Sequence, residues 1–169
     1  NRFIHHWWIS RAQYVAERQV FKAIKRSVPR SSAASTFVQF ERDSSLYRMI
    51  VDPDSVAWTI ERYPIRDSLR GLQIMRLAQP MPFLLALMRA YESKDVTIKA
   101  VIAMLGAIES YHFQVNAIST KSSSGGVSEM YASHARQLTD ARNSAERRKQ
   151  MATLTSKLAK RKPDRADFI

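Results

Sequence analysis

Residues 98–115, IKAVIAMLGAIESYHFQV, decide the fold class of this chain. Ile98, Val101, Ile102, Leu105, Ile108, His112 and Val115 recur at steps of mostly three and four residues. Successive residues of an α-helix turn by about 100°, so that spacing gathers them on one face. A half-buried strand would instead alternate with a period of two. Asp95 and Thr97 stand just before the stretch. Either can accept a hydrogen bond from the unpaired N–H groups of a first helical turn.

The same spacing extends outward from this helix. Downstream, a Ser/Gly loop at 121–126 leads into a stripe of Val127, Met130, Tyr131, His134 and Leu138. Upstream, Phe83, Leu84, Leu87, Met88 and Tyr91 form an apolar helix. Pro82 suits its first turn, where the missing N–H has no partner to lose. Ile65, Leu69, Leu72 and Arg76 share a face, with Ile74 and Leu77 beside it, which predicts a helix reaching about Gln79. Val56, Ile60 and Tyr63 predict another helix, which Pro64 kinks or ends. Asp52-Pro53-Asp54-Ser55 reads as a turn with Asp54 or Ser55 as the cap. Phe37, Phe40, Leu46, Tyr47 and Ile50 predict one helix or a broken pair. Val20, Phe21, Ile24 and Val28 share the buried face of a helix that stops before Pro29. The expected fold is all-α, an irregular bundle of about seven to nine helices. Its expected core is Leu69, Leu72, Leu84, Leu87, Val101, Leu105, Ile108, Val115, Met130, Tyr131 and Leu138.

Charge divides the chain differently. The net charge is +12 over 169 residues. Residues 1–30 carry seven basic residues against one acid, and residues 136–169 carry ten against four. Each end therefore nets +6, while residues 31–135 balance ten against ten. Such an asymmetry favours an anionic partner near the ends: nucleic acid, an acidic neighbouring domain or, less well matched, a membrane surface. After Asp140 the apolar residues thin to Ala141, Ala145, Met151, Leu154 and Leu158. This predicts a helical bundle over 1–141, followed over 142–169 by a basic helix that either packs weakly or reaches toward a further domain. Arg147, Arg148, Lys149, Lys157, Lys160, Arg161 and Lys162 are the first candidates for phosphate contact. Lys22, Lys25 and Arg26 are the second.

Little in the chain points to chemistry. Without cysteine there is neither a disulfide framework nor thiol catalysis, which fits a reducing, cytoplasmic setting. The longest apolar run, from Met81 to Met88, is far shorter than the roughly 20 residues of a membrane span, and no membrane partner is expected. No signal peptide is visible, and the chain opens in mid-pattern at Asn1 rather than at Met, as a piece of a longer protein would. Four histidines are present, but they lack the spacing that brings three or four ligands together, so no metal site and no cofactor are expected. Glu109 precedes His112 by three residues and shares its face; the pair either tunes an imidazole for proton transfer or simply satisfies a buried ring. No catalytic residue is assigned. Ser123, Ser124, Gly125 and Gly126 precede a helix N-terminus and form a possible anion-binding loop, with a capped hinge as the plainer reading. Phe3, Trp7 and Trp8 either stack on bases or, more in keeping with their size, anchor in the core.

Three stretches carry a family resemblance. The opening FIHHWWISRAQYVAERQVFKAIKRSV is similar to the segment that follows the N-terminal domain in GmrSD-type proteins, relatives of modification-dependent restriction endonucleases. The matching positions include Phe3, His6, Trp8, Ser10, Phe21 and Ile24. PFLLAL at 82–87 resembles an apolar helix of that family. YHFQVNAI followed by SSSGGVSEMYASHARQL resembles one of its branches, with Ser122 where that branch has Arg. The matches run in the same order over about residues 3–141. The resemblance implies a helical region between a ParB-like nucleotide-hydrolysing domain, marked by a DGQQR-type motif, and an HNH nuclease. Neither motif occurs in this chain. It further implies a scaffold or connector in a DNA-restricting defence protein, with no activity of its own. Its partners would be the flanking domains of a parent chain and DNA, the latter through non-specific phosphate contacts. The alternative from composition is a stand-alone basic nucleic-acid-binding or adaptor module.

Overall fold

The computed structural model describes residues 2–117 and 126–162, and among these the protein is all-α, with eight α-helices and no strand. They are α1 (Arg2–Ile9), α2 (Val20–Ser27), α3 (Ala33–Val51), α4 (Tyr63–Ile74), α5 (Met81–Glu92), α6 (Ile98–Ala117), α7 (Val127–Asp140) and α8 (Ser144–Lys160). Three-residue 3-10 turns lead into α2, α3 and α4, and another follows α3.

The bundle is built around α5. Every residue from Met81 to Met88 is buried, because α1, α3, α6 and α7 all pack against this one helix. A helix that is apolar all round has to be enclosed in this way. Around it, α4 lies on α6, and α8 lies on both α6 and α7. No helix among the described residues is long and apolar enough to cross a membrane. Of the eleven expected core residues ten are buried, and Val115, near the end of α6, is half-buried. Trp7 and Trp8 are buried and Phe3 is half-buried against the rings of Phe40 and Tyr47, so these aromatics anchor α1 to α3.

Local chemistry sets the helix ends. Thr97 Oγ1 accepts from the Ala100 N–H at 3.3 Å and starts α6. At α8 the Asn143 side chain accepts from the Glu146 N–H at 2.9 Å, while the Glu146 carboxylate reaches back to the Arg142 N–H at 2.8 Å. This reciprocal pairing satisfies two donors at once. Gly126 stands before α7 with φ of 73°, a left-handed conformation open to glycine at no steric cost.

Several expectations are corrected. Helix α3 is unbroken over 19 residues. Pro64 opens α4 rather than ending a preceding helix, since its fixed φ and missing N–H suit a first turn. Val56 and Thr59 are extended, and Ile60 lies in a 3-10 turn, exposed. Helix α4 stops at Ile74, short of Gln79, and Arg76 just beyond it takes a positive φ of 53°. Phe21 is 59% exposed, away from the face shared by buried Val20 and half-buried Ile24. Ile74 is 80% exposed. Finally, α8 is not weakly packed. Its sparse apolar residues Met151, Leu154 and Leu158 are all buried in the common core.

Candidate nucleic-acid interface

The cationic face of α8 follows from how the helix is docked. Met151, Leu154 and Leu158, three and four residues apart, face α6 and α7. A helix that buries one stripe turns the opposite one to water. That outer stripe holds Lys149, Lys157 and Lys160, all exposed. Eleven residues separate Lys149 from Lys160, which at 1.5 Å per residue places them roughly 16 Å apart along the axis. Arg148 and Arg161 are exposed on its flanks. The one acid within α8, Glu146, is engaged in the N-terminal cap.

Two of the seven expected contacts turn inward. Arg147 Nη2 lies 3.4 Å from Asp95 Oδ2, with the side chain largely covered. Lys162 Nζ donates to Ser110 Oγ at 2.9 Å and ties the chain after α8 back onto α6. The second basic set, Lys22, Lys25 and Arg26, is exposed on α2. That helix packs on α1, whereas α8 packs on α6 and α7. Of the expected anion-binding loop, Ser123, Ser124 and Gly125 lie outside the described residues, and Gly126 is exposed.

Three of the four histidines, His6, His112 and His134, are buried. His112 Nε2 pairs with the Tyr131 hydroxyl at 3.1 Å, and the two rings stack. Glu109 does not orient His112: its Oε1 lies against Gly71 of α4, near enough to meet a Cβ there at 2.7 Å. His6 Nδ1 pairs with the Tyr47 hydroxyl at 2.8 Å beside a cavity of about 340 Å³ whose walls include Leu69, Leu72, Met81, Arg2 and Arg76. Burial, with help from His5 and Arg2, lowers His6 to about 4. Burial raises Tyr47 to about 12, so both are uncharged at neutral pH. Among the described residues no group of three or more His, Asp or Glu is placed to hold a metal ion.

One buried charge cluster was missed from sequence. Asp43 of α3, with its side chain 1% exposed, takes Arg11 Nη2 at 2.7 Å and Nε at 3.2 Å on Oδ2. Arg89 of α5 brings Nε to 3.2 Å from the same oxygen. Arg89 also donates to Thr139 Oγ1 at 3.2 Å and to Ser10 Oγ. The sequence does carry a signal. Asp43 interrupts the Phe40, Tyr47, Ile50 face of α3, and Arg89 interrupts the apolar run of α5. A charge on an otherwise apolar face is seldom buried without a partner.

Fold and surface together define an all-α protein with a cationic helix face on a helix docked against its core. Comparison with protein-family models, with curated proteins and with solved structures finds no match for this chain.

Proposed function

We propose that this chain is a helical scaffold, the connector of a GmrSD-like DNA-restricting defence protein, which couples a nucleotide-responsive domain to a nuclease domain. The reading rests on the resemblance of residues 3–141. One structural observation supports it most. Phe21 on α2, Phe37 and Val38 near the start of α3, Ile60 before α4 and Ile74 at its end remain largely exposed. Large apolar side chains left in water suit contact with neighbouring protein. Reading the encoding frame outward on both sides tests the proposal. DGQQR-type and His-Asn-His segments are expected to flank it. A start and a stop codon bracketing the chain would overturn it.

A second reading, a basic nucleic-acid-binding module, is favoured by the outer stripe of α8. Duplex DNA would bind through phosphates, weakly and without sequence preference, with affinity falling steeply as salt rises. A mobility-shift titration at two salt concentrations tests it. Changing Lys149, Lys157 and Lys160 together to Ala should abolish the shift seen at low salt; unchanged binding would remove α8 as the contact.

A further inference from the structure

The buried cluster around Asp43 opens into a cavity of about 180 Å³ that the function proposed above does not use. At about 30 Å³ of liquid volume per water, that is room for roughly six waters or one small polyatomic ion. Four arginines line it, each from a different part of the chain: Arg11 after α1, Arg42 of α3, Arg89 of α5 and Arg147 of α8. Two carboxylates, Asp43 and Asp95, oppose them, which leaves a formal surplus of two positive charges among the lining residues. Gln39, Arg42 and Ser93 are exposed and form a mouth.

The surplus has a specific layout. Asp43 Oδ2 serves both Arg11 and Arg89, while Asp43 Oδ1 is buried and has no hydrogen-bond partner among the described residues. Arg147 is tied to Asp95, and Arg42, among the described residues, only to Ser93 Oγ at 3.4 Å, at the rim. Burial and then the neighbouring Arg11 bring Arg89 down to about 10, with Asp43 opposing, so it remains charged at neutral pH. Guanidinium groups present planar, paired donors suited to tetrahedral oxyanions.

We propose that this cavity is a phosphoryl-binding site. The phosphate oxygens accept from the guanidinium groups that line the cavity. The phosphoryl group belongs either to free phosphate or to the end of a nucleotide or nucleic acid chain.

Calorimetric titration of the whole protein with inorganic phosphate, at constant ionic strength, tests the site. Saturable millimolar or tighter binding is expected. Arg42→Gln and Arg147→Gln, which leave the Asp43 pairs intact, should each weaken phosphate by about tenfold. The triple change of Lys149, Lys157 and Lys160 should leave it unaltered, which separates this site from the outer face of α8. A 5′-phosphorylated oligonucleotide that binds more tightly than its 5′-hydroxyl counterpart, with the same dependence on Arg42, identifies a chain end as the source; equal binding of the two identifies free phosphate. Absence of saturable phosphate binding, or binding indifferent to both arginine changes, overturns the site.

Discussion

Leu154→Ala separates a docked α8 from a loosely attached one. Leu154 is 0% exposed, in the middle of the stripe that α8 lays against α6 and α7. Truncation removes three carbons, worth about 0.8 kcal/mol each in transfer from water, or about 2.4 kcal/mol. If roughly 40 Å³ of the space stays unfilled, the cavity adds about 1 kcal/mol at 24 cal/mol per Å³. The sum, about 3.4 kcal/mol, corresponds to a fall in Tm of roughly 7–14 °C for a domain of this size. Equilibrium urea unfolding followed by tryptophan fluorescence measures it, with buried Trp7 and Trp8 as reporters. Exposed Lys157→Ala serves as the control and should change stability by less than about 0.5 kcal/mol. A Leu154→Ala effect within that same limit would refute the docking, and with it the argument that α8 holds its lysines on a fixed outward face.

Acid should weaken the fold through histidine. Burial lowers His6, His112 and His134 from 6.5 to about 4, with further contributions from His5 and Arg2 at His6 and from Lys157 at His134. The unfolded chain therefore binds more protons between these values, and stability, complete above pH 6.5, falls as pH drops toward 4. The slope is on the order of 1.4 kcal/mol per pH unit for each histidine at most. Both ring nitrogens of His134 lack a hydrogen-bond partner among the described residues. His134→Leu should then flatten the stability–pH curve by about one proton, and an unchanged acid slope would sink this account. Asn143→Ala removes the cap of α8 and should cost about 1 kcal/mol by urea unfolding; no loss would mean that the cap is idle. Gly106→Ala, in the middle of α6 where a new Cβ meets nothing within 4 Å, should raise stability by about 0.5–1 kcal/mol; a decrease in Tm would show that the site is tighter than described.

Periodicity made α5, α6 and α7 legible. Their buried stripes are continuous, and a run such as Phe83, Leu84, Leu87 and Met88 has no other stable use in water than burial. The class of the fold and ten of its core positions follow from that. Proline was ambiguous: Pro64 suits the end of one helix or the start of the next. Only the packing of Ile65, Leu69 and Leu72 under α6 resolves which.

Charge, by contrast, is a property of position in space. The sequence by itself placed the excess at the two ends of the chain, and it determined that α8 would be basic and sparsely apolar. It did not determine that three apolar residues suffice to dock α8, because burial depends on the groove that α6 and α7 offer. Nor did it show that Arg147 and Lys162 turn inward while Lys149, Lys157 and Lys160 turn out. The arginine cavity is the extreme case. Arg11, Arg42, Arg89 and Arg147 are spread over 137 positions of sequence, and of the four only Arg89, which interrupts an apolar run, is marked there as a charge in need of a partner. Tertiary structure alone brings them round one buried carboxylate, since electrostatic energy depends on distance through space and on exclusion of water.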